Sequence, residues 1–224
     1  MKKYIILFLT GLFLVNTVQA QENIITNKLR NSLFNKNQSQ TKINTNSENN
    51  QNSEQENLSA DAMILYNAND IEGALQILLS ITEENRTALD WLLLGNIYQD
   101  KKDNANAVLM YQKAIIKDIK FYRAYYNLGN IYLEDENTQE AIKLYKSALK
   151  YKPDFGYGYY NIGCAYVKIG NLKKAKSAFL KAAEYKKEMP ETYYNLVFIY
   201  KKLGDTKKAE EYLKIYNELA ERKL

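Results

Sequence analysis

The chain has 224 residues, enough for one or two domains, and 46% of them are hydrophobic, as in an ordinary globular protein. It contains no histidine and a single cysteine, which excludes histidine acid–base and metal chemistry, an internal disulfide and a thiolate zinc cage. The formal charge of +5 falls to about +3 without residues 1–20, where Lys2 and Lys3 are unopposed by any acid, too mild a balance to argue for nucleic acid.

The first twenty residues, MKKYIILFLTGLFLVNTVQA, read as a signal peptide. Lys2 and Lys3 form a basic start, Tyr4 to Val15 an apolar run, and Val18-Gln19-Ala20 a small-residue cleavage site. The run is about twelve residues, short of the roughly twenty that span a bilayer. Cleavage after Ala20 and export to the periplasm or the exterior are expected, with an uncleaved inner-membrane anchor as the alternative. Residues 21–57 are dominated by Asn, Gln, Ser, Thr, Lys and Glu and read as a disordered polar linker, because such a run buries too little apolar area to offset its ordering entropy. Within it Ile25, Leu29 and Leu33, with Phe34 beside them, have helical spacing, either as a short docking helix or as incidental apolar residues.

A period of 34 residues follows. It links Trp91, Tyr125, Tyr159 and Tyr193; Leu94, Leu128, Ile162 and Leu196; Tyr98, Tyr132, Tyr166 and Tyr200; and Ala107, Ala141, Ala175 and Ala209. Tyr111, Tyr145 and Phe179 continue it, with Tyr212 one residue short of register, and Ala114, Ala148 and Ala182 complete three copies. Each unit holds two helical faces, such as Tyr125, Leu128, Gly129 and Tyr132 in the first helix and Ala141, Tyr145 and Ala148 in the second. Glycine and alanine let the two backbones approach while aromatics fill the flanking space. Gly170 and Gly204 are placed to end helices in the left-handed conformation, and Pro153 and Pro190 stand at unit boundaries.

The period and the segments WLLLGNIY and YYNLGNIY resemble the tetratricopeptide repeat (TPR). The resemblance covers residues 88–121, 122–155, 156–189 and 190–223, with a degenerate earlier unit at about 58–87 that carries Ala62, Leu65, Ala74 and Leu78. Val197 departs from the pattern where glycine is expected, and Ile119 and Lys187 where proline is common. The resemblance implies an all-α fold, a TPR superhelix (α-solenoid) over residues 58–224 with one concave face. The charged helix from Thr206 to Arg222 suits an outer cap to the stack.

In such arrays the first helix of each unit lines the groove, which by resemblance places there Leu89, Arg123, Tyr157 and Glu191; Leu92, Tyr126, Tyr160 and Tyr194; Leu93, Asn127, Asn161 and Asn195; and Asn96, Asn130, Cys164 and Phe198. None of these is required by the core stripe. Carboxamides at Asn96, Asn127, Asn130, Asn161 and Asn195 suit the amides and carbonyls of an extended peptide, and Tyr126, Tyr160 and Tyr194 add broad contact area. The same residues also serve hydrogen bonding between helices, and both readings stand at this point. A clamp for dicarboxylate peptide tails is excluded, since Leu92, Tyr157 and Asn161 occupy the places of its three bases.

Charge along the groove rim is uneven, with Asp100 and Glu134 early and Lys168, Lys201 and Lys202 late. The triplet DFG at 154–156 has no Gly-rich or catalytic loop to accompany it, and Cys164 has no resolving partner. The expectation is therefore a non-enzymatic protein–protein interaction scaffold or adaptor of the bacterial envelope that binds an extended peptide or partner protein. The alternative is a self-assembling structural component with no exchangeable ligand. Neither reading calls for a cofactor, a metal, nucleic acid or a small-molecule substrate, a membrane enters only through an uncleaved signal, and homo-oligomerisation is left open.

Overall fold

The computed structural model describes residues 47–222, with side-chain surroundings from residue 57. The signal segment, most of the polar linker and the Ile25–Phe34 pattern lie outside the described residues. Ten α-helices and one short 3-10 turn make up what is described, and the chain divides after Arg86 into two units.

In the first unit α1 (Ser47–Asn67) packs on α2 (Ile71–Ser80). Helix α1 begins at Ser47, inside the segment 21–57 read as the linker. The run contains no glycine or proline, and once the turns around Ala62 are nucleated by packing, Glu, Gln and Ser extend the helix at small cost. Ala62, Ala74 and Leu78 are fully buried. Asp70 caps α2 by accepting a hydrogen bond from the Gly73 amide at 3.0 Å.

The second unit is four helix pairs: α3 (Ala88–Asp100) with α4 (Asn104–Lys117), α5 (Tyr122–Glu134) with α6 (Thr138–Tyr151), α7 (Gly156–Lys168) with α8 (Leu172–Tyr185), and α9 (Pro190–Lys202) with α10 (Thr206–Glu221). Each pair occupies one 34-residue unit. The expected faces form the core: Ala107, Tyr111 and Ala114, then Ala141, Tyr145 and Ala148, then Ala175, Phe179 and Ala182 are without solvent exposure. Three glycines are required by close approach. A methyl group on Gly129 would sit 2.7 Å from the Tyr145 ring, one on Gly163 would sit 2.7 Å from the Phe179 ring, and Gly95 faces Tyr111 in the same way.

The fourth pair solves the same contact differently. The position 34 residues beyond Phe179 is Leu213, not Tyr212, and Val197 stands where the other pairs have glycine. Tyr212 instead stacks on Tyr200, ring centroids 5.4 Å apart, and lies 6.3 Å from Tyr193. Leu213 and Ile215 remain exposed, so α10 is not the purely charged cap that its sequence suggested.

The turns within pairs share one backbone geometry. Gly170 (φ 73°) and Gly204 (φ 81°) are left-handed as expected, and so are Lys102 (φ 60°) and Glu136 (φ 63°), which occupy the same repeat position without glycine's freedom. Asp103, Asn171 and Asp205 follow these turns and each caps its second helix by accepting a backbone N–H three residues on. Thr87 and Asp90 close a capping box at the start of α3.

Candidate functional site

The first helices α3, α5, α7 and α9 lie side by side and are stitched by their asparagines. Asn96 Oδ1 accepts the Tyr111 hydroxyl at 2.9 Å and Asn127 Nδ2 at 2.8 Å. One repeat on, Asn130 Oδ1 accepts the Tyr145 hydroxyl at 2.9 Å and Asn161 Nδ2 at 2.7 Å. Asn130 Oδ1 thus uses both lone pairs, one on the ring of its own helix pair and one on the next pair. At Asn96 the single Tyr111 proton is shared with Gln99 Oε1 at 2.8 Å. The asparagine row is in the first place a ladder between repeats.

The ladder stops at the third pair. Cys164 stands where Asn96 and Asn130 stand, and Phe179, which has no hydroxyl, where Tyr111 and Tyr145 stand. Without a ring hydroxyl the third pair has no donor for a carboxamide at that place. Asn195 Nδ2 turns instead to the Glu191 carbonyl at 2.9 Å and the Tyr160 hydroxyl at 3.4 Å. Burial pushes the Cys164 thiol up, the Tyr160 hydroxyl partly offsetting it, so this cysteine is not an activated nucleophile.

What the ladder leaves over faces outward. Asn127 and Asn161, both partly exposed residues, spend Nδ2 protons between repeats and keep their Oδ1 atoms for another donor. Beside them Tyr126 and Tyr160 are half-buried, and Tyr194 is 60% exposed. Burial raises the Tyr126 hydroxyl above the ordinary tyrosine value, partly offset by the Asn130 and Asn161 carboxamides, and raises Tyr160 to about 12. Tyr126, Tyr122 and Tyr157 surround Phe155, with centroids 5.0, 5.0 and 5.9 Å away, and form an aromatic wall between the second and third pairs. Phe155, just before α7, was not among the groove positions expected, because the repeat pattern marks helix faces and not the residue that enters a helix.

The structure brings Asn96 together with Asn127 and Asn130 with Asn161, and it sets Asn195 beside Tyr160. Two corrections concern the upper groove: Leu92 and Leu93 are each buried to 4% exposure and belong to the core, which leaves little groove on α3. Tyr157 and Phe198 are exposed, with Lys186 Nζ 4.7 Å and Lys202 Nζ 5.8 Å from their ring centroids. At the rim Lys168 Nζ lies 3.6 Å from Glu136 of the preceding pair, an acid outside the expected charge gradient. Among the described residues no group of three His, Cys, Asp or Glu could hold a metal ion, and no helix is long and apolar enough to cross a membrane.

Comparison with known proteins agrees with the geometry. One tetratricopeptide repeat model matches residues 91–115, 157–189 and 190–221, a second matches 110–143, and a TPR repeat model matches 129–170. Among solved structures, one of MamA superposes with a TM-score of 0.64 at 24% identity, covering 72% of this chain and 95% of that one. MamA residues 41 to the end from Desulfovibrio magneticus RS-1 gives 0.64 at 21% identity, covering 75% and 96%. PilF of Pseudomonas aeruginosa gives 0.69 at 17% identity, covering 75% and 77%. At these identities the likeness is one of fold. No curated relative matches the sequence.

Proposed function

The chain belongs to the tetratricopeptide repeat family, and we propose that it is a non-enzymatic scaffold of the bacterial envelope that holds an extended peptide or partner protein along its first helices. The observation that carries this reading is the surface left after the ladder is satisfied. Two carboxamide oxygens, Asn127 Oδ1 and Asn161 Oδ1, are left on the first helices, the same helices that carry the exposed rings of Tyr157, Tyr194 and Phe198. An extended peptide supplies the missing N–H donors, and the tyrosines supply contact area at low entropic cost. The N-terminal basic and apolar segment supports export.

Tyr157, Tyr194 and Phe198 are the residues to change, because they are exposed and no ladder bond depends on them. Cross-linking of the tagged chain in its native envelope, followed by mass spectrometry, should capture a partner that Y157A/Y194A/F198A loses while its helicity is unchanged. Capture that persists in the triple variant would move the contact off the groove and sink this reading. Self-assembly is the second reading, favoured by Leu213 and Ile215, which α10 leaves exposed. Sedimentation over a range of concentrations, with L213E/I215E beside the parent, separates the two.

A further inference from the structure

We infer that the edge of the array formed by the turns within the third and fourth helix pairs docks on an anionic lipid surface. Ile169 and Leu203 sit at equivalent places, just past the ends of α7 and α9, and are 42% and 41% exposed at the tips of their turns. The same places in the first two pairs hold Lys101 and Asp135. Each aliphatic tip is ringed by lysine. Residues 168–176 carry Lys168, Lys173, Lys174 and Lys176 and no acid; residues 201–208 carry Lys201, Lys202, Lys207 and Lys208 against Asp205 alone.

The helices gain nothing from this arrangement. Lys173, Lys174, Lys207 and Lys208 lie in the first turns of α8 and α10, at the positive end of the helix dipole, with no acid in either first turn. The second pair, by contrast, has Glu140 there. Some nearby acids are occupied, and Glu210 and Glu211 lie at i+3 and i+4 from Lys207 and balance part of the fourth pair's charge, which leaves the third pair's tip the more basic of the two. Asp205 accepts the Lys208 amide at 3.0 Å, Glu136 is with Lys168, and Glu134 and Asp135 belong to the second pair. Successive tips abut, since Lys168 Nζ also reaches the Leu133 carbonyl of the preceding pair at 3.4 Å. Ile169 and Leu203 hold the same position in the two successive pairs that follow.

Lysines around exposed aliphatic tips match a bilayer surface, where the charges meet phosphate headgroups and the apolar ends enter the acyl boundary. Single-stranded nucleic acid fits less well. The rings it would stack on are covered, Tyr166 by Lys174 at 5.5 Å and Tyr200 by Lys176 and Lys208, each at 5.5 Å. A phosphate backbone also has no use for Ile169 and Leu203.

Vesicle flotation of the full chain tests this, with phosphatidylglycerol and phosphatidylcholine in equal parts against phosphatidylcholine alone, at about 50 and about 300 mM salt. The N-terminal apolar run is common to every variant, so the readout is the difference between variants. Binding to the anionic vesicles should exceed binding to the neutral ones at least tenfold and fall with salt. K173Q/K174Q/K207Q/K208Q should lower it by more than about a hundredfold, and I169S/L203S by about tenfold, with helicity unchanged in both. Equal binding to neutral vesicles would overturn the inference. So would loss in the lysine variant with none in I169S/L203S, an outcome that assigns the strip to soluble polyanions.

Discussion

Asn161 donates through Nδ2 to Asn130 Oδ1 at 2.7 Å, across 31 residues of sequence and from one helix pair to the next. The acceptor is shared with the Tyr145 hydroxyl, whose side chain is fully buried. Asn130→Leu removes one oxygen and strands two donors, which should cost about 2 kcal/mol. Asn195→Ala loses longer and more exposed bonds and should cost less than about 1 kcal/mol. Urea denaturation of the two variants should rank them in that order; equal losses would mean the ladder is not what couples the repeats.

The interrupted rung can be rebuilt. Cys164→Asn places an acceptor 31 residues before Asn195, and Phe179→Tyr supplies the hydroxyl donor of the first two pairs. The double variant should be more stable than the parent by about 1 kcal/mol, with most of the gain appearing only when both changes are present. A double-mutant cycle without coupling would show that the two positions do not act as one rung.

Gly129 is held to glycine by a ring, not by its backbone angle. Gly129→Ala gains about 1 kcal/mol of helix propensity and meets the Tyr145 ring at 2.7 Å, an overpacking worth about 1–3 kcal/mol, for a net loss. Gly129→Val alone should be worse. Combined with Tyr145→Leu, which withdraws the ring, it should recover part of the loss, as read by thermal denaturation.

Lys102 and Glu136 adopt φ near 60° where the third and fourth turns use glycine. The left-handed region costs a side-chain-bearing residue about 1–2 kcal/mol, and glycine's extra freedom in the unfolded chain returns part of that. Lys102→Gly should therefore raise stability by about 0.5 kcal/mol. Lys102→Val should lower it, because a β-branched side chain tolerates that region least. Chemical denaturation of both, in parallel, gives the sign.

Alkaline pH should unfold the protein through its tyrosines. Burial holds Tyr126, Tyr145, Tyr160 and Tyr200 above the ordinary value of 10.0, Tyr160 at about 12. The unfolded chain releases these protons near pH 10 and the folded chain keeps them longer. The resulting stabilisation is complete below pH 10 and is lost as the pH climbs through about 12. The melting temperature should stay level to about pH 9 and fall beyond pH 10, less steeply in Tyr160→Phe. Tyrosinate absorbance recorded in the same scan would show whether ionisation and unfolding coincide.

Much of the fold was legible because small and aromatic residues recur at one interval on two helical faces, and only paired helices satisfy both faces at once. Val197 was visible as a departure, but the break in the aromatic row at Leu213 was masked by Tyr212 next door, which matched the row by type and missed it by one residue. Lys102 and Glu136 carry no mark of a left-handed turn in their side chains. The asparagines were ambiguous for a physical reason: a carboxamide offered to a peptide and one spent on the next repeat occupy the same place on a helix. Only the 31-residue bonds separate the atoms that are spent from those that are left.

Cys164 has one more consequence. It is the single cysteine of the chain, it lies half-buried in the row that holds Asn96 and Asn130, and its neighbour Tyr160 is one of the groove rings. A natural probe is therefore built into the surface where a partner is expected to lie. The rate at which that one thiol is alkylated, with and without a candidate peptide, would report occupancy by shielding, with no label introduced and no residue changed.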